Sequence, residues 1–155
     1  MFPIMKIRPG SLSAVVVGCV SQKQPHRASA KDLYVSNLFR KRRAYAEASG
    51  LPWFIMSAKH GIVQPDTVLD PYDETLEHLS LTALLRWGER SVSELERILG
   101  PLAGHVLEIH AGKRYVHAVE STLHRRSAEI VVPLKGLRIG QQLQWYVRVA
   151  SVKMD

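Results

Sequence analysis

The chain has 155 residues, 46% of them apolar and 23% charged, with 21 Lys and Arg against 14 Asp and Glu for a net charge of +7. That length suits one domain with a core that needs no covalent staple, and that composition excludes wholesale disorder. No apolar run approaches the roughly 20 residues of a membrane span, no signal-peptide pattern opens the chain, and one cysteine, Cys19, excludes an internal disulfide. The expectation is a cytoplasmic protein with no membrane partner, spanning residues 1–155 as one domain.

The stretch 1–12 reads as a loose arm or an extra edge strand. Ala14 to Val17 is a continuous β-branched run closed by Gly18, the signature of a strand buried on both faces. A polar loop follows from Ser21 to Ser29, broken by Pro25. From Ala30 the spacing predicts one helix, with Tyr34, Leu38, Tyr45 and Ala48 on a stripe and Gly50 as its stop. Trp53 to Met56 is a second strand, ending in Ser57-Ala58-Lys59-His60-Gly61.

An irregular acidic stretch from Val63 to His78 holds Pro65 and Pro71. Ser80 then reads as the N-cap of a helix carrying Leu84, Leu85, Val92, Leu95 and Leu99, stopped by Gly100-Pro101. Val106 to Ile109 is a third strand, followed by His110-Ala111-Gly112-Lys113 and a helix marked by Tyr115, Val116, Val119 and Leu123. Glu129 to Val132 is a fourth strand, and Ile139, Leu143 and Val147 mark a closing helix. Strand and helix therefore alternate, which predicts a three-layer α/β/α fold around a mostly parallel four-stranded sheet, five-stranded if the N-terminal stretch joins it.

Ligands in such folds bind outside the carboxyl ends of the strands. Three strand ends carry reactive groups: Gly18 to Lys23, Ser57 to Gly61, and His110 to Lys113. Gly18 permits close backbone approach and Lys23 can meet an anion. No Walker A loop and no Gly-x-Gly-x-x-Gly follows any strand. The second loop places Lys59 and His60 ahead of Asp66, Asp70 and Asp73, a supply of carboxylates that could activate water or stabilise a sugar cation. Arg40, Lys41, Arg42 and Arg43 lie mid-helix and suit a phosphate backbone as well as they suit a solvated face. His110, His117 and His124 recur too widely for one tetrahedral metal site, and no Cys pair or His-Glu-x-x-His occurs, so no metal is expected.

The segments Gly18 to Lys23, Ala30 to Phe39, Trp53 to Gly61, Pro71 to Leu76 and Gly136 to Leu143 resemble a family of small bacterial and phage proteins of unknown function. More distantly, the Ser57-Ala58 to Gly61 and Pro71-Tyr72 segments are similar to those of YaaA-type peroxide-stress proteins, which are linked to DNA binding. The loop with Cys19, Lys23, Pro25 and Ser36 resembles a motif in a domain of archaeosine synthases, which act on a modified tRNA base. A further resemblance is to antiviral glycosylases that remove modified bases from phage DNA on a uracil-glycosylase-like scaffold. The usual Gly-Gln-Asp-Pro-Tyr of uracil glycosylases is replaced here by Gly18-Cys19-Val20-Ser21-Gln22.

These resemblances share a modified nucleobase or the nucleic acid carrying it, DNA more than RNA. They imply a monofunctional DNA N-glycosylase without metal or organic cofactor. Asp70 or Asp73 would activate water, and His60 or His110 would stabilise the departing base. Ser21, Lys23, Tyr34, Ser36, Ser57, Lys59, Tyr72, Gly112, Lys113 and Tyr115 would line the substrate site, with Tyr34 or Tyr72 stacking on the base. Arg40, Lys41, Arg42 and Arg43 would take phosphates. A DNA-binding protein without chemistry and an enzyme on free nucleotides or nucleosides remain the alternatives.

Overall fold

The computed structural model describes residues 12–153. The arm or edge strand expected over residues 1–12 therefore lies, apart from Leu12, outside the described residues. The elements in chain order are β1 (Ala14–Gly18), β2 (Ala28–Ser29), α1 (Ala30–Leu33), α2 (Asn37–Ala48), β3 (Trp53–Ser57), β4 (Gly61–Val63), β5 (Val68–Leu69), α3 (Leu81–Leu99), β6 (Val106–His110), α4 (Lys113–Arg125), β7 (Glu129–Val131) and α5 (Ile139–Lys153).

The main sheet has five strands in the order β4-β3-β1-β6-β7. β1 pairs in parallel with both β3 and β6, and β6 with β7. β4 is antiparallel to β3. β1 thus sits at the centre, which is why its valines point alternately into two separate apolar layers. Val16 joins Phe54, Met56, Leu107 and Ile109 beneath α3 and α4, whereas Val15 and Val17 join Ile55, Leu33, Phe39 and Ala46 on the opposite face. Each fully buried valine contributes about 2 kcal/mol through burial alone. The architecture is three-layer α/β/α, with α3 and α4 on one face and α2 and α5 packed together on the other.

Two local features depart from the sequence pattern. The helix expected from Ala30 is interrupted: α1 ends at Leu33, Tyr34 is extended, and α2 starts afresh at Asn37 with the Ser36 hydroxyl accepting from the Phe39 N–H. The interruption is held by backbone pairing, Gln24 N–H to the Leu33 carbonyl and Val35 N–H to the Gln22 carbonyl. The fifth strand is Gly61–Val63, which runs from the end of the expected Ser57–Gly61 loop to the first residue of the stretch expected to be irregular. Gly61, at φ 74°, turns the chain so that Gly61 lies opposite Ser57 and β4 pairs with β3. Further along, β5 pairs with β2, so Val63 to His78 is only partly loop. Elsewhere the expected signals are met: the Ser80 hydroxyl accepts from the Ala83 N–H, and α3 stops at Gly100 with φ 83°.

α3 and α4 meet backbone to backbone. A Cβ built on Gly88 would lie 1.8 Å from the Ala118 carbonyl oxygen, a rigid neighbour that cannot give way without separating the helices. Gly88→Ala should therefore destabilise the fold by about 3 kcal/mol or more, read as a lowered urea midpoint. Gly50→Ala offers the comparison, since its Cβ would meet nothing within 4 Å and only its φ of 72° is unfavourable. Equal losses in the two variants would contradict this account of helix contact.

Candidate functional site

From β1 the chain goes to β3 on one side and later returns to β6 on the other. The strand order therefore switches direction at β1, and the crevice between the carboxyl ends of β1 and β6 is where this class of fold binds ligands. Its floor is close-packed. A Cβ on Gly18 would stand 2.8 Å from the Ala111 Cβ and 3.6 Å from Arg42 Nη1. Only glycine lets the two strand ends approach this closely. Arg42 reaches across from α2 and donates through Nη1 to the Gly18 carbonyl at 2.9 Å.

Above this floor the three reactive loops come together. Tyr72 is buried, and its hydroxyl bonds Tyr34 at 2.6 Å and Ser57 Oγ at 2.7 Å. Ser57 Oγ also accepts from the His60 N–H, and the Ser57 carbonyl accepts from Trp87 Nε1. Cys19 Sγ lies 3.1 Å from the Tyr115 hydroxyl, joining the loop after β1 to the first turn of α4. Lys23 Nζ stands 4.4 Å from the Tyr72 ring centroid and 5.6 Å from that of Tyr34, while donating to the Val20 and Ser21 carbonyls. Burial pushes the Tyr34 hydroxyl up to about 12 and the Tyr72 and Tyr115 hydroxyls upward as well. All three remain neutral donors at physiological pH.

Beneath α2 and α5 lies a second polar cluster. Val15 and Val17 stand opposite Glu108 and His110 in register, so these two polar residues face the helix pair. His110 Nδ1 bonds the Tyr146 hydroxyl at 2.6 Å and its Nε2 bonds Glu108 Oε1 at 2.7 Å. Tyr45 and Trp145 pack against the same imidazole, with ring centroids at 4.6 Å and 5.8 Å. Burial lowers the His110 pKa against the opposing pull of Glu108. The contributions of Glu108, Tyr45 and Tyr146 carry no signal in the sequence beyond residue type; Tyr146 stands thirty-six positions from the histidine it binds.

The expected site residues divide accordingly. Lys23, Tyr34, Ser57, Tyr72 and Tyr115 belong to the strand-end cluster. Tyr34 and Tyr72 are only 2% and 7% exposed, and Lys23 covers the Tyr72 ring, so a stacking partner would have to displace that ammonium. His60 is exposed, edge-on to Tyr72 at 5.6 Å, and burial lowers its pKa with Lys59 assisting. Lys59 pairs with Glu74 at 4.0 Å. Asp70 is exposed and paired with Arg27 at 3.2 Å, whereas Asp73 is exposed with no ion pair among the described residues. His110 is 2% exposed and stays inside its own cluster, apart from the hydroxyl chain.

Ser21 contributes its carbonyl to Lys23, and Ser36 caps α2. Gly112 is the N-cap of α4, followed by exposed Lys113. The basic run is divided by its helix. Arg42 is buried and bonds the Gly18 carbonyl, Arg43 pairs with Asp32 and Glu47, and Arg40 and Lys41, nearer the solvent, make no ion pair among the described residues. Among those residues, no group of three or more His, Cys, Asp or Glu side chains is placed to hold a metal ion, and no helix is long and apolar enough to cross a membrane.

Removing the central hydroxyl should cost more than removing the outer one. Tyr72→Phe leaves both Tyr34 and Ser57 short of a partner and should lower stability by about 2 kcal/mol, against about 1 kcal/mol for Tyr34→Phe; urea midpoints check the order. A pH dependence follows from the histidines. His60 and His110 both resist protonation in the fold, so the unfolded chain takes up those protons first, from about pH 6.5 downward. Their contribution to stability is complete above that value and is lost as pH falls toward and through the lowered folded values. NMR should show the His110 ring taking up its proton at lower pH than an unperturbed imidazole does; titration at or above the ordinary histidine range would contradict the assigned burial.

A model of a family of unknown function, DUF6884, matches residues 14–148, from the first residue of β1 into α5. Comparison with curated proteins gave no match. Comparison with solved structures gave none either. The family match takes in β1, all three strand-end loops and both polar clusters. This chain is a member of the DUF6884 family.

Proposed function

We propose that this protein is a nucleobase-directed enzyme on DNA, an N-glycosylase that excises a modified base of the kind phage genomes carry. The observation that supports it most is the convergence of Tyr34, Tyr72, Ser57, Cys19, Tyr115 and Lys23 at the switch point of the sheet. An enzyme of this class takes its nucleotide out of the stack, holds the base by rings and hydrogen bonds, and grips the flanking phosphates. Neutral tyrosine hydroxyls and a serine supply donors and acceptors for a base edge. Arg40 and Lys41, without ion pairs among the described residues, supply the grip.

Glycosidic hydrolysis moves the bonding electrons onto the departing base while water adds to the sugar carbon. Asp73, beside Tyr72 in the chain and without an ion pair among the described residues, takes the water-activating role more readily than Asp70, whose charge faces Arg27. His60, with its lowered pKa, is neutral at pH 7 and can donate a hydrogen bond to the departing base. One observation favours a second reading, a DNA-binding protein without chemistry: no carboxylate joins the hydroxyl chain among the described residues.

Incubation with ordinary DNA and with phage DNA carrying hypermodified bases, then alkali and mass spectrometry, decides between them. A free modified base with strand breaks is expected, and Asp73→Asn should reduce release about a hundredfold or more. Intact DNA with retarded mobility supports the binding protein instead. Binding should weaken steeply with salt, and neutralising Arg40 and Lys41 should flatten that dependence; salt-independent binding contradicts the phosphate grip.

A further inference from the structure

We infer that the β1–β6 crevice is a phosphate site, holding one phosphate group of the nucleotide whose base the neighbouring hydroxyls read. The inference deepens the reading above and rests on it only for the base; the phosphate could belong to a DNA strand or to a free nucleotide.

Positive groups border the Cys19–Tyr115 contact without a matching carboxylate. Lys23 gives protons to the Val20 and Ser21 carbonyls, which leaves a third N–H on an ammonium that has no ion pair among the described residues. Its cradle of two tyrosine faces and two carbonyls fixes the ammonium over the Tyr72 ring, on the loop that follows β1.

Arg42 lies at the floor, 4% exposed, and its Nε has no hydrogen-bond partner. Its Nη1 gives a hydrogen bond to the neutral Gly18 carbonyl, and Glu108, on the same face of the sheet, is bound by His110. Burial lowers the Arg42 pKa, yet a guanidinium remains charged at neutral pH. A buried guanidinium with an unsatisfied N–H is costly, and an anion arriving above it offsets that cost.

α4 completes the third side. Gly112 caps it without a side chain, its first turn has no acidic residue, and Lys113 opens it. The positive end of the helix therefore faces the loop that Cys19 and Tyr115 join. In the neighbouring acidic loop Asp66 is paired with Lys31, Asp70 with Arg27 and Glu74 with Lys59, and Asp73 makes no ion pair with Lys23 among the described residues. An ammonium with a spare proton, a helix N-terminus and a tyrosine hydroxyl suit the several acceptor oxygens of a phosphate.

Calorimetric titration of the full chain tests this with the common deoxynucleoside 5′-monophosphates, the matching nucleosides, inorganic phosphate and a short single-stranded DNA. At least one monophosphate should bind about tenfold or more tightly than its nucleoside, with inorganic phosphate competing. Lys23→Gln should erase that advantage. Lys113→Gln, at an exposed position where folding is not at stake, should reduce it about threefold. Lys23-dependent binding of the oligonucleotide alone would assign the phosphate to a DNA strand. The proposal falls if neither monophosphate nor oligonucleotide binds in a Lys23-dependent way, or if nucleoside and monophosphate bind equally. Lys23-dependent monophosphate binding with modified-base DNA left intact would keep the phosphate site and remove the glycosylase reading.

Discussion

The hydrogen bonds from Tyr72 to Tyr34 on one side and to Ser57 on the other tie together three stretches of chain that the sheet alone leaves apart. Tyr34 belongs to the break between α1 and α2, Ser57 ends β3, and Tyr72 follows β5. Each bond has a net worth of only about 1 kcal/mol, but a buried hydroxyl left unpaired costs up to about 3 kcal/mol. The chain of three therefore holds as a unit. Trp87 extends it through the sheet, since its indole bonds the Ser57 carbonyl from the α3 side. Loop position, helix break and helix packing are thus coupled through one serine.

The two faces of the sheet have divided their tasks. Under α3 and α4 the buried layer is almost wholly aliphatic and aromatic, and Gly88 lets those helices touch. That face supplies stability. Under α2 and α5 the sheet buries Glu108, His110, Arg42 and the hydroxyls of Tyr34, Tyr72 and Tyr146. Buried ionic groups rarely add stability over an apolar replacement. Their presence on one face only, continuous with the strand-end crevice through the Arg42 bond to Gly18, fits a face shaped for orientation. The neutral His110 and the raised tyrosines keep most of that layer uncharged at pH 7.

Much of the fold was legible because burial on both sides writes a continuous β-branched run into β1, and because Gly50, Ser80 and Gly100 punctuate helices by mechanisms local to the chain. The convergence of Gly18 to Lys23, Ser57 to Gly61 and His110 to Lys113 followed from the alternation of strand and helix. What stayed hidden depends on partners distant in sequence. Tyr34 fits a helical stripe by spacing, yet its backbone pairs with the 22–24 segment and leaves the helix. Arg42 is indistinguishable from its basic neighbours until the helix rotates it inward. Glu108 and His110 look like the polar end of a strand, and only α5 reveals that they lie under a cover.

The positive charge is a weaker guide than its size suggests. Arg27, Lys31, Arg43, Lys59, Arg97, Arg125 and Arg126 all face carboxylates, mostly at the surface, where such pairs contribute at most about 1 kcal/mol but neutralise the local field. Arg114 donates to the Leu76 and Leu79 carbonyls and anchors the acidic loop's far end to α4. A phosphate at the proposed site would meet neither a uniform basic surface nor the whole run of Arg40 to Arg43. It would meet cations that make no ion pair among the described residues, and two of these, Lys23 and Lys113, stand on loops that follow β1 and β6. Unpaired charge and the opening of the sheet coincide at that place, and the aromatic hydroxyls there would give the proposed nucleotide something besides charge to meet.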